Sequence, residues 1–276
     1  MLRITASTVV AAALVGLPRV VHSPRAAPAS RTLIVNAYEY TFKAPDSIAA
    51  GVITVRLVDH GKMGHQLSLA RLDDSSSLVR VMKTLTDDKV HTGGIRWRGG
   101  VESAFPGDSS ETILALEPGR YVIVCAYGGE NGLSHVSMGM IRSLTVTKVV
   151  AANDMRLPTT PVTIRLSDYH VDVTGTLHSG RQLVGVENAG PHRHHLIVQR
   201  FSGKATIDDA MKWDGKSQPA PFEDTSGGAA VLDSGQTSVI VLNLRPGRYE
   251  LGCVLADDAK SKPHYMLGMH DEVVVR

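Results

Sequence analysis

The sequence predicts an all-β protein made of two tandem β-sandwiches. Three observations predict it. The chain repeats itself once, with matching segments 128 to 129 positions apart. Each copy is a series of short β-branched or alternating runs separated by turn signals. One set of four residues, two His, a Cys and a Met, occurs in both copies in the same order. A period this long is too great for a solenoid and suits two domains of ordinary size.

The elements follow in order. In the first copy, strands are expected at 32–40, 52–58, 66–72, 111–116, 121–125 and 143–149. The second copy gives 162–166, 182–187, 196–201, 237–244, 249–253 and 272–275. Pro118-Gly119, Pro246-Gly247, Gly93-Gly94 and Gly227-Gly228 read as turns. A helical stripe interrupts the first copy at 76–85. Thr206 opens a shorter counterpart over 207–213. Residues 150–161, with Asn153-Asp154 and two Pro, read as a short linker between domains at 32–149 and 162–276.

Composition narrows the function. The chain is 43% hydrophobic and 20% charged, enough for each half to bury a core. A net charge of +2 gives no footprint for nucleic acid or an anionic membrane. Residues 1–30 read as a signal peptide: Arg3, then an apolar run from Ile4 to Leu17, then Ala26, Ala27 and Ala29. The run is too short to span a bilayer, so the mature chain is expected to have no membrane span and to be periplasmic or secreted. An uncleaved N-terminal anchor is the alternative. The two cysteines, Cys125 and Cys253, hold equivalent places in separate domains, which argues against a disulfide between them.

The quartets carry the chemistry. They are His65, Cys125, His135 and Met140, and His194, Cys253, His264 and Met269. Two imidazoles and a thiolate in a plane, with a weak axial thioether, make a blue-copper site. The flanking strings repeat too: PGRYVIVC becomes PGRYELGC, and HVSMGM becomes HYMLGM. His195 competes with His194 as a ligand. The first copy favours His194, because Asp59 to His65 and Asn188 to His194 have the same spacing and Gln66 stands where His195 does. Met138 and Met266 read as packing residues, with a second thioether as the alternative, and His192 as a solvated side chain. Copper is therefore expected twice per chain, once per domain.

The order His, Cys, His-x4-Met, with Gly before the Met, resembles the cupredoxins, the plastocyanin and azurin group. Asn188-x-Gly190 ahead of His194 is similar to the approach to their first copper His. The resemblance covers nearly the whole mature chain, twice. It implies cupredoxin-like Greek-key β-sandwiches, each here with a short helical insertion. One departure stands out: nine residues separate Cys125 from His135, and ten separate Cys253 from His264. Plastocyanin-like loops are much shorter, and these are closer to the ligand loop of copper nitrite reductases.

Two-domain copper oxidases and nitrite reductases link a second copper centre through a His beside the blue-copper Cys. Here Val124 and Ala126 flank Cys125, and Gly252 and Val254 flank Cys253. An enzyme is disfavoured on this ground, and an exported electron carrier with an unknown redox partner protein is expected. Copper storage or delivery is the rival reading. A carrier is also expected to bring an edge of His135 or His264 to the surface, framed by Leu133 or Tyr265.

Overall fold

The computed structural model describes residues 31–86, 93–129, 132–148, 155–257 and 261–276. The expected signal peptide and the first part of the expected linker, 150–154, lie outside them. The first half contributes β1 (Arg31–Tyr38), β2 (Thr41–Lys43), β3 (Ser47–Ala49), β4 (Gly51–Asp59) and β5 (His65–Leu72). It continues with α1 (Leu78–Thr86), β6 (Ile95–Ala104), β7 (Ser109–Leu116), β8 (Gly119–Val124) and β9 (Ile141–Thr147). The second contributes β10 (Val162–Ser167), β11 (His170–Thr174), β12 (Gly180–Asn188), β13 (His194–Phe201) and α2 (Ile207–Lys212). It ends with β14 (Phe222–Leu232), β15 (Thr237–Leu244), β16 (Gly247–Gly252) and β17 (His270–Val275).

Alternation builds the cores. β1 turns Leu33, Val35 and Ala37 inward, and β4 turns Ile53, Val55 and Leu57 inward. These meet Leu67, Leu69, Tyr121 and Ile123 from the opposite sheet in one core. A second core gathers Ile164, Val186, Leu196, Leu242, Tyr249 and Leu251. Each half is thus a cupredoxin-like two-layer β-sandwich. β5 is buried on both faces, because α1 covers its outer side: Val81 and Leu85 pack with Ala70, Leu72 and Trp97. Thr206 caps α2 in a capping box, its hydroxyl accepting from the Asp209 N–H while the Asp209 carboxylate accepts from the Thr206 N–H.

Both sheets run through both halves. One has the order β11-β10-β12-β15-β7-β4-β1-β2, the other β17-β16-β13-β14-β6-β5-β8-β9-β3. The halves join edge to edge where β7 pairs with β15 and β6 with β14. Val101 pairs with Ala229, and Thr112 with Ile240. Each of these pairs is 128 apart, the offset between Cys125 and Cys253. In each ladder one residue therefore faces its own counterpart, and the junction has local two-fold character.

The strands β6 and β14 correct one expectation. Gly227-Gly228 is not a turn; it lies inside β14, as Gly99-Gly100 lies inside β6. Gly100 and Gly228 have φ of 148° and 144°, and a Cβ would sit 1.9 Å and 1.8 Å from the carbonyl oxygens of Leu67 and Leu196. The glycines let neighbouring backbones close up beside irregular register in the β5–β6 and β13–β14 ladders.

Candidate metal centres

Each centre is assembled at one end of a sandwich. His65 and His194 open β5 and β13, while Cys125 and Cys253 directly follow β8 and β16. Backbone hydrogen bonds then return the loop. The Cys125 N–H donates to the Met140 carbonyl at 3.2 Å, and the Met140 N–H to the His135 carbonyl at 2.9 Å. The second loop repeats both, Cys253 to Met269 at 3.2 Å and Met269 to His264 at 3.0 Å. Gly139 and Gly268, at φ 99° and 104°, make the turn before each Met. Open space surrounds Gly139, so there the angle, not crowding, requires glycine.

The ligand atoms converge. His65, Cys125 and His135 offer one atom each, all within 4.8 Å of one another, and so do His194, Cys253 and His264. All six residues are at most 1% exposed. Cys125 Sγ lies 3.4 Å from His135 Nδ1. In the second centre Cys253 Sγ is 3.6 Å from His264 Nδ1, which is 3.1 Å from His194 Nδ1. Metal bonds of about 2.0 Å to imidazole and 2.3 Å to thiolate, in a plane, put donors about 3.5–3.7 Å apart. Both nitrogens of the buried His65 ring lack a hydrogen-bond partner among the described residues. A cation between the donors would satisfy Nδ1. Met140 and Met269 are fully buried and pack in the same clusters as their Cys.

Burial sets the charges. It pushes both thiols up to about 12, so each holds its proton until a cation displaces it. The His65, His135 and His194 rings are pushed down by the same cause, which keeps them neutral and able to ligate. The peptide N–H of Gln66 donates to Cys125 Sγ at 3.3 Å, and that of His195 to Cys253 Sγ at 3.5 Å. His194 thus faces His264, while the neighbouring His195 ring turns away, accepting from the Val254 N–H at 2.9 Å.

The two centres differ in their surroundings. His194 Nε2 lies 3.1 Å from Asp168 and His264 Nε2 lies 2.9 Å from Asp257, so both rings of the second centre have carboxylate partners. Burial alone would raise Asp168, but hydrogen bonds from His192 and His194 hold it below the usual range. In the first centre the closest approach is His65 Nε2 to Asp59 at 3.8 Å, and His135 Nε2 has no hydrogen-bond partner among the described residues. The sequence reading missed Asp168 and Asp257, and it missed Tyr40 and Tyr169. The two tyrosines sit 129 apart at φ 58° and 62° and stand edge-on to His135 and His264 at 5.3 Å. Their shared offset and rare backbone angle were the available signal. The exposed imidazole edge does not exist: His135 and His264 are each 1% exposed, and Tyr265 only 8%. Their tyrosine neighbours stand against them. The apolar surface nearby comes instead from Leu133, Val254, Met266 and Leu267.

No protein-family model matches the chain, and no curated protein sequence does. Among solved structures it is similar to a reduced auracyanin of Roseiflexus castenholzii: 16% identity, TM-score 0.31, 43% of this chain and 98% of that one. It is also similar to auracyanin A, a "blue" copper protein of Chloroflexus aurantiacus, at 16% identity and TM-score 0.30, over 42% of this chain and 98% of that one. A copper-containing nitrite reductase of Thermus scotoductus SA-01 matches at 14% identity and TM-score 0.26, over 89% of this chain. This chain covers 61% of that reductase's length. At such scores these likenesses carry no weight of their own. The strand order and the donor geometry define the class: a cupredoxin-like β-sandwich pair in which two buried His/Cys/His groups fit two copper sites.

Proposed function

We propose that this protein is an exported, periplasmic or secreted, electron carrier with two type 1 copper sites, one in each of the domains 32–149 and 162–276. His65, Cys125, His135 and Met140 would hold one copper; His194, Cys253, His264 and Met269 would hold the other. One observation carries the reading: both Cys/His/His sets are brought together by the backbone itself, buried and close to metal-bonding separations. Bound copper supplies the one-electron chemistry. The chain keeps the donors in place in either oxidation state, excludes water and stabilises the thiolates with the Gln66 and His195 N–H groups. No His flanks either Cys, which supports a carrier over an oxidase or reductase.

Copper analysis and a visible spectrum of the mature protein test this. Two coppers and an intense thiolate band are expected. Cys125→Ser and Cys253→Ser should each remove one copper's thiolate absorption and leave the other's. Storage or delivery would show instead as fast copper loss to a modest chelator with slow reduction by a small one-electron donor.

A further inference from the structure

Glu102 is a buried carboxylate that neither centre uses. It is 1% exposed and sits on β6 beside Val101, the residue facing its own counterpart across the junction. The Gln66 side-chain amide donates to Glu102 Oε2 at 2.8 Å. His195 Nδ1 lies 3.4 Å from the same oxygen, a close approach without the alignment of a hydrogen bond. Gln66 and His195 are counterparts, each following the first His of its centre. Their peptide N–H groups reach Cys125 Sγ and Cys253 Sγ. Because His195 Nε2 accepts from the Val254 N–H, its Nδ1 carries the ring proton towards Glu102. An unbroken series of contacts therefore runs Cys125, Gln66, Glu102, His195, Cys253. The counterpart of Glu102 is the fully buried Ala230, so one carboxylate serves both sides. A carboxylate is costly to bury unless it is paired, and Ala230 shows that a methyl group fits the equivalent place.

We propose that Gln66, Glu102 and His195 form an internal bridge that couples the two centres and carries electrons between them. This rests on the copper reading above. With copper in both sites the step would balance by itself: the one electron lost by copper(I) at one centre would be gained by copper(II) at the other, the two exchanging oxidation states. No bond to the protein breaks and no proton has to move. Glu102 acts as a positioning residue, fixing from a single oxygen the two side chains whose backbones touch the sulfurs.

The test uses the full chain with Glu102→Ala, which copies Ala230, and Glu102→Gln, which restores an acceptor. First, silver(I), a redox-inert cation that prefers thiolate, is added at one equivalent to copper-free Cys253→Ser protein, and the His195 ring resonances are followed. They are expected to shift, to stay still in the added presence of Glu102→Ala, and to shift again with Glu102→Gln. Second, electron exchange between the coppers is timed after a one-electron pulse. Glu102→Ala should slow it several-fold, and Glu102→Gln should restore it. A His195 response indifferent to residue 102, or an unchanged exchange rate, overturns the bridge. If no thiolate band forms at either centre, the copper reading fails instead, and the silver experiment alone decides the bridge.

Discussion

At the scale of single residues, carboxylates separate the two centres. Asp257 and Asp168 fix the far nitrogens of His264 and His194, and such partners orient an imidazole and raise its basicity. Asp257→Asn should weaken copper binding at the second centre by roughly 10–100-fold and leave the first unchanged. Competition against a chelator, read on each Cys→Ser background, measures it; equal weakening at both centres would refute the assignment. Glu250 is a different case. It is 3% exposed, and burial pushes its carboxyl up to about 7. The folded chain keeps a proton that the unfolded chain has lost, so this group's contribution is full below the ordinary carboxylate range. It is lost as the pH rises towards 7, by about 3 kcal/mol in all. Glu250→Gln should flatten the fall in melting temperature between about pH 4.5 and about pH 7. A fall as steep as that of the unmodified protein would count against it. The His and Cys residues that the fold brings together were legible in the sequence because soft and imidazole donors recur in order. Glu102 was not, because Ala230 breaks the repeat at that point.

At the scale of elements, the repeated Pro-Gly-Arg-Tyr strings have a structural use. The Tyr121 hydroxyl donates to the Glu117 carbonyl and the Tyr249 hydroxyl to the Arg245 carbonyl, both at 2.9 Å, pinning the turn into the strand that ends at each Cys. This is the tyrosine corner of β-sandwiches. Tyr121→Phe or Tyr249→Phe should cost about 1 kcal/mol each, the net worth of a hydrogen bond, measured by chemical denaturation. Loss of several times that would mean the ring, not the hydroxyl, is disturbed. The twelve expected strands lie where periodicity placed them to within a few residues. The strands β2, β3 and β11 escaped because they are too short to show alternation. The strands β6 and β14 escaped for another reason: paired glycines are common turn residues, and only the approach of the Leu67 and Leu196 carbonyls shows why they stand mid-strand.

At the scale of the whole molecule, two sandwiches share two sheets. Val101, Ala229 and Ile240 are at most 3% exposed at the seam. Ile240→Ala should therefore destabilise by about 2–4 kcal/mol, as other deletions of buried aliphatic groups do. Calorimetry should show one transition moving as a unit, since hydrogen-bonded ladders cross the seam in both sheets. Two separated transitions would show that the halves unfold independently. This seam could not be read from the sequence. It joins segments 128 positions apart, and nothing local in either strand announces its partner.

The self-matching seam has a further consequence. A contact with two-fold character uses the same edge on both sides, so joining two units consumes it. Of the strands left at the ends of the two sheets, β2 and β3 have three residues each, β11 has five and β17 has six. Short edges offer little template for another chain. A head-to-tail contact between the same sandwiches would have left an open edge after every addition, and a fibre could have grown from it. The assembly built here ends at two.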